Sequence, residues 1–128
     1  MKKKVLIVLS DYYKDISSEL LKNARKGLKK FKIYKIIKVP GVFEIPVTIS
    51  KHINKVDGVV ALGCVIKGKT PHFEFISSSV TNGLINLSIL YKKPIGNGIL
   101  TCLNRKQALA RLDKGSDAAY ATISILNQ

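Results

Sequence analysis

Twice in this chain an unbroken apolar run is followed by a segment whose apolar residues recur every three or four positions. Val5-Leu6-Ile7-Val8-Leu9 (strand over 5–10) precedes residues 16–30, where Ile16, Leu20, Leu21, Ala24 and Leu28 share one side. Val59-Val60-Ala61-Leu62-Gly63-Cys64-Val65-Ile66 precedes residues 72–91, with Phe73, Ile76, Val80, Leu84, Leu87 and Leu90/Tyr91 on one stripe. A continuous apolar run fits a strand covered on both faces, and the helical period fits a helix with one buried side. Two weaker units complete the pattern. Residues 32–38 alternate and read as an edge strand guarded by Lys. After Pro40-Gly41, Ile45, Ile49 and Ile53 form a helical stripe. Residues 95–101 read as a fourth strand in which Gly96 and Gly98 permit close backbone approach. Asp15 or Ser17 can cap the first helix, and Asn104 can cap one running to Leu112. Ser116 or Asp117 can cap a last helix from Ala118 to Leu126. Strand and helix thus alternate four times. That order predicts an α/β protein: a four-stranded parallel sheet between helical layers, joined by right-handed crossovers. Its 128 residues fit one domain, 1–128, with no repeat or linker.

Charge narrows the partners. The chain has 22 Lys+Arg against 8 Asp+Glu, a net +14, yet it is 46% hydrophobic, which argues against disorder. Lys supplies 19 of the positives, and only Arg25, Arg105 and Arg111 are Arg. Specific phosphate and base recognition favours the planar Arg fork. The charge therefore reads as scattered, solvated Lys of the kind A/T-rich codon usage produces, and no nucleic-acid partner is expected. Two Cys without a Cys/His cluster exclude a disulfide scaffold and a structural zinc site. No run approaches the roughly 20 apolar residues of a membrane helix. Met1-Lys2-Lys3-Lys4 and the run after it imitate a secretory leader, but Asp11 follows without a cleavage site, so a first strand and a cytoplasmic protein are expected.

In such a fold, ligands lie at the carboxyl ends of the strands, which points to segments 11–15, 39–45, 66–72 and 101–104. The first holds Asp11-Tyr12-Tyr13 and the second Pro40-Gly41-Val42-Phe43-Glu44-Ile45-Pro46. Tyr12 and Phe43 either plug the top of the core or form a slot for a planar ring, with Glu44 free for hydroxyls. Spacing alone does not separate the two. In the third segment Thr70 can be an N-cap, Pro71 the first helical residue, and His72 follows. Free N–H groups at a helix start suit an anion, so a phosphate at Gly68-Lys69-Thr70 beside Lys67 is physically reasonable. The same dipole disfavours a charged His72, and a neutral imidazole can act as general base. The alternative is a capped helix start with an exposed His. His52, late in the second helix, reads as solvated or as pairing with the helix end. Cys64 and Cys102 read as buried small hydrophobes. Neither a G-x-G-x-x-G fingerprint nor a Walker loop occurs, so nucleotide cofactors have no support.

Gly41-Val42-Phe43-Glu44-Ile45-Pro46 resembles the GAFEIP motif of the 6,7-dimethyl-8-ribityllumazine synthase family. Ala61-Leu62-Gly63-Cys64-Val65-Ile66-Lys67-Gly68-Lys69-Thr70-Pro71-His72-Phe73-Glu74 is similar to its ALGCVIRGETxHxD signature. Asn97-Gly98-Ile99-Leu100-Thr101, with Gln107-Ala108 and Arg111, resembles its third block. The resemblance spans nearly the whole chain in order. It implies a flavodoxin-like three-layer α/β/α sandwich and the condensation of 5-amino-6-(D-ribitylamino)uracil with 3,4-dihydroxy-2-butanone 4-phosphate. The products are the lumazine, phosphate and water, and no metal or organic cofactor is implied. It also implies active sites between adjacent subunits of a homo-pentamer, which some members pack into an icosahedral shell. The short N-terminus favours a free pentamer.

By the same resemblance Tyr12 stacks on the pyrimidine. Val42, Phe43, Glu44 and Ile45, with Val65, Ile66, Lys67 and Asn97, belong to the pyrimidine and ribityl side. Gly68, Lys69 and Thr70 belong to the phosphate loop, and His72 transfers protons. Arg111 and Lys114 match phosphate-side residues, Arg111 arriving from the adjacent subunit. Three positions depart from the common pattern: Lys67 replaces an Arg, Lys69 a Glu, and Asn97 a frequent Phe. Two other functions fit less of the chain. A non-catalytic flavin or lumazine binder would keep the scaffold alone, and a basic nucleic-acid domain leaves the Phe43-Glu44 and Thr70-His72 loops unexplained.

Overall fold

β1 (Lys4–Ser10) and β3 (Gly58–Ile66) form the centre of the sheet, with β2 (Lys32–Val39) and β4 (Ile95–Cys102) at its edges. The computed structural model describes residues 2–128. The strand order is β2-β1-β3-β4 and every pair is parallel. The connecting helices are α1 (Lys14–Gly27), α2 (Ile45–His52), α3 (His72–Tyr91), the short α4 (Arg105–Leu109) and α5 (Lys114–Leu126). Single turns of 3-10 helix, Val42–Glu44 and Ile53–Lys55, bracket α2.

The unbroken apolar runs have the expected cause. Alternate residues of β1 serve two cores: Val5, Ile7 and Leu9 face α1 and α5, while Leu6 and Val8 face α2 and α3. β3 divides likewise, with Val60, Leu62 and Cys64 on one side and Val59 and Ala61 on the other. This is the parallel sheet between helical layers that the alternation predicts, and the three-layer flavodoxin-like sandwich that the family resemblance implies. Both cysteines are buried and free. A Cβ at Gly96 would lie 2.1 Å from the carbonyl oxygen of Ala118, so α5 packs directly on the backbone of β4. The Thr122 hydroxyl fixes the same contact by donating to the Val59 carbonyl at 2.8 Å.

Several boundaries differ from expectation. α1 begins at Lys14, and the residue before it, Tyr13, makes no side-chain cap, so neither Asp15 nor Ser17 has that role. Ser17 instead donates its hydroxyl to the Ser10 carbonyl at 2.6 Å, tying α1 to the end of β1. α5 starts at Lys114, four residues before Ala118, and α4 ends at Leu109 rather than Leu112. Asn104 does cap α4, accepting the Gln107 N–H at 2.9 Å. On α3 Val80 and Leu84 are buried as expected, with Ile76, Leu87 and Tyr91 packed against the same core; of the Leu90/Tyr91 pair it is Tyr91 that takes the inner stripe, and Leu90 is 71% exposed. Among the described residues no helix is long and apolar enough to cross a membrane.

Candidate active site

A cleft of about 330 Å³ crosses the carboxyl ends of β1 and β3. The ends of the two strands supply Ser10, Cys64, Val65 and Ile66 as its floor. The loop after β1 brings Tyr12 and Tyr13, the 3-10 turn after β2 brings Val42 and Phe43, and the start of α3 brings His72 and Ile76. The cleft therefore joins Tyr12, Val42, Phe43, Val65, Ile66 and His72, which the sequence places in three separate loops. Tyr12 is 72% exposed and Phe43 62% exposed, so neither ring plugs the core. Tyr12 instead meets Tyr13 edge to face, with ring centroids 4.9 Å apart and planes at 80°. Burial, and then the neighbouring Tyr12, raise the Tyr13 phenol above its ordinary pKa, so it stays protonated.

Phe43 also borders a second hollow, of about 370 Å³, between α2 and α3. Glu44, Pro46, Val47 and Gly83 line that hollow. Gly83 lets the two helices approach closely there, since a Cβ on it would stand 3.2 Å from the Pro46 ring. The Glu44 carboxylate folds back to accept the Gly41 N–H at 3.0 Å, so one of its oxygens is already engaged. Ile45 is fully buried beneath this turn and holds it down rather than lining the cleft.

The loop after β3 leads into α3. The helix spans 72–91 as expected, with Pro71 in the cap position rather than as the first helical residue. The Thr70 hydroxyl still accepts the His72 N–H, at 3.4 Å. Gly68 has nothing within 4 Å of where a Cβ would stand, and Lys69 and Thr70 are exposed, so backbone N–H groups and a cation are open to a ligand. Lys67 is partly neutralised by Glu74, 3.6 Å away, one turn into α3.

Besides Glu44, Ile45 and the Lys67, Gly68, Lys69 and Thr70 loop, which do not line this cleft, three more expected site residues lie away from it. Asn97 stands opposite Ala61 in mid-β4, its side chain accepting the Ile99 N–H at 3.0 Å. Arg111 is exposed beyond α4, its nearest polar partner being the Cys102 sulfur at 4.0 Å. Lys114 opens α5 beside α1. Conversely Ser10, Tyr13, Cys64 and Ile76 line the cleft without having been singled out for it. For Ser10 and Cys64 the available signal was position, since each lies at or near the carboxyl end of a central strand. Burial, and then the nearby Cys102, push the Cys64 thiol up to about 11, which leaves it protonated and a poor nucleophile. His52 is half-buried rather than fully solvated, and its Nδ1 is buried without a partner. Among the described residues no group of three or more His, Cys, Asp or Glu could hold a metal.

An all-parallel sheet, helices on both faces and a cleft across the strand ends define a flavodoxin-like α/β protein that binds a small ligand at that edge. Comparison with known proteins narrows this class. The family model for 6,7-dimethyl-8-ribityllumazine synthase matches residues 2–128. The 6,7-dimethyl-8-ribityllumazine synthase of Corynebacterium kroppenstedtii is 40% identical over 128 residues, covering 94% of this chain and 80% of that protein. That of Cutibacterium acnes is 38% identical over 132 residues, covering 96% and 80%. That of Rhodopseudomonas palustris (strain BisA53) is 40% identical over 136 residues, covering 96% and 83%. The chain belongs to the 6,7-dimethyl-8-ribityllumazine synthase family, transferases of riboflavin biosynthesis.

Proposed function

We propose that this cleft is where 5-amino-6-(D-ribitylamino)uracil condenses with 3,4-dihydroxy-2-butanone 4-phosphate to give 6,7-dimethyl-8-ribityllumazine. The observation that carries the reading is the convergence of Tyr12, Phe43, Val65, Ile66 and His72 on one cleft in a chain of this family. The exposed rings of Tyr12 and Phe43 offer flat apolar surface to the pyrimidine. The free oxygen of Glu44 accepts ribityl hydroxyls. Gly68, Lys69 and Thr70, at the positive end of α3, receive the phosphate.

The chemistry asks for little more than juxtaposition and proton movement. The 5-amino group adds to the ketone and loses water as an imine. Phosphate leaves by elimination, and the ribitylamino nitrogen then closes the ring with loss of a second water. Each step moves a proton, and His72, at the cleft wall, is placed to carry it. Holding two reactants in register supplies much of the remaining acceleration.

Asn97, Arg111 and Lys114 do not line the cleft of their own chain, which fits a site completed by a neighbour. We assign these three to the site of an adjacent subunit in a homo-pentamer, with Arg111 and Lys114 on the phosphate. The exposed apolar residues Phe75, Ile85 and Ile89 of α3, and Tyr120 and Ile125 of α5, are the natural faces for such contacts. Ile89 and Ile125 flank one hollow beside β4, while Phe75 lies at the other end of α3, so one copy offers unlike patches that can close as a ring. The enzyme works in the cytoplasm on two small-molecule substrates, without metal or organic cofactor. Mixing purified protein with both substrates and following lumazine absorbance tests this reading. Turnover is expected, and its absence, or equal turnover by a His72→Ala/Arg111→Ala double variant, would remove it.

A further inference from the structure

Nine of the 22 positive side chains gather at the amino-terminal edge of the sheet, against the expectation of scattered Lys. Lys2, Lys3 and Lys4 lead into β1. Lys29, Lys30 and Lys32 surround the turn from α1 to β2. Lys55 precedes β3, and Lys92 and Lys93 precede β4. Among the described residues the one acidic side chain there is Asp57, which accepts the backbone N–H of Lys4 at 2.7 Å and lines the groove described below. Asp11, Asp15, Glu44 and Glu74 lie at the opposite end, by the cleft. The ends of the helices explain part of the cluster, because cations complement the negative end of a helix. Lys3 donates to the Leu126 carbonyl at 3.1 Å and Lys93 to the Ile53 carbonyl at 2.9 Å. Among the described residues, the other seven have neither a carboxylate within ion-pair distance nor a side-chain hydrogen bond. Such crowding is self-repulsive unless an anion relieves it.

We propose that this edge is a docking surface for the phosphate backbone of duplex nucleic acid, bound without sequence preference. The cations span all four strands, three gaps of about 4.8 Å, or about 14 Å. That suits an extended anion better than a compact one, and duplex DNA presents one charge per about 1.7 Å. A groove of about 450 Å³ lined by Lys2, Lys4, Lys55 and Lys93 crosses the middle of the edge. Lysine supplies point charges rather than a fork, so it contacts phosphate without reading bases. The large exposed apolar side chains near this edge are Ile89, Leu90 and Ile125, beside Lys92 and Lys93, and none of them is aromatic. That removes the aromatic platforms a single strand stacks on.

Fluorescence anisotropy of a labelled 20-base-pair duplex of arbitrary sequence, titrated at several salt concentrations, tests this. Binding is expected with a slope of log K on log salt of about −4 or steeper, each phosphate contact adding about −0.9. Lys2→Gln/Lys30→Gln/Lys55→Gln should flatten it by about 2.7 and leave lumazine formation unchanged. A matched triple at the other end, Lys14→Gln/Lys38→Gln/Lys106→Gln, should change it by less than one. Equal losses in the two triples, or a wild-type slope shallower than about −2, would overturn the proposal. So would binding to phosphatidylserine vesicles without binding to the duplex. If the edge triple fails to fold, the wild-type slope and the vesicle comparison still decide.

Discussion

The Glu44 carboxylate accepts the backbone N–H of Gly41 at 3.0 Å, so the residue proposed above for the ribityl chain also closes its own loop. A glutamine can accept the same bond and an alanine cannot. Glu44→Gln should therefore keep stability within about 0.5 kcal/mol, while Glu44→Ala loses about 1 kcal/mol. Both should raise KM for the ribitylaminouracil, Gln by several-fold and Ala by about tenfold or more, in steady-state assays with the other substrate saturating. A KM unchanged in Glu44→Gln, with the loss confined to Glu44→Ala, would show that the loop, not hydroxyl binding, is what Glu44 serves.

His72 and Arg111 should fail differently. A general base that shares its task with water contributes modestly, so His72→Ala should lower kcat by about 10- to 100-fold with little change in KM. Loss of a charged partner for phosphate should cost more. Arg111→Ala should lower kcat/KM by about 10²- to 10³-fold, chiefly through KM for the butanone phosphate. Mixing Arg111→Ala with His72→Ala subunits also tests where Arg111 acts. If Arg111 serves a neighbour's site, mixed assemblies recover sites that hold both intact residues, and activity exceeds the sum of the separate variants.

How legible the fold was depended on whether each signal was local. β1 and β3 stood out because both their faces are buried, which leaves an apolar run with no polar break. The start of α5 did not. Gly115 reads as a helix breaker, yet a Cβ there would come within 2.2 Å of the Leu20 carbonyl oxygen, so contact with α1 demands glycine in the first turn. The cleft was half legible. Tyr12, Phe43 and His72 are loop residues at strand ends, where the fold places ligands. Ser10 and Cys64 belong to strands and carried no pattern but core. The Lys67–Glu74 pair spans seven residues and forms only because the loop turns back on α3.

Two glycines should respond oppositely to alanine. At Gly96 the new methyl would meet the backbone of α5 at 2.1 Å, and helix and strand must separate to admit it. Gly96→Ala should lose about 3 kcal/mol or more in urea unfolding, the upper end of overpacking costs. At Gly68 nothing lies within 4 Å, and no glycine among the described residues has a positive φ. Gly68→Ala should unfold within about 0.5 kcal/mol of wild type. If Gly68 lies against the phosphate, its methyl should still raise KM for the butanone phosphate.

His52 makes stability depend on pH. Burial of its ring, then the positive charges of Lys35, Lys55 and Lys51, hold its pKa below the ordinary value near 6.5. Its Nδ1 is buried with no partner, so a proton placed there gains no acceptor. Below about pH 6.5 the unfolded chain binds a proton at this residue that the folded chain refuses. The folded state is therefore penalised progressively as pH falls from 6.5 toward the depressed folded value, and above 6.5 the penalty vanishes. Urea unfolding between pH 8 and pH 5 should give a flat upper limb and a decline below 6.5. His52→Gln cannot take up the proton and should flatten that decline while leaving the upper limb parallel to wild type. An acid limb as steep in His52→Gln as in wild type would assign the decline to the carboxylates instead.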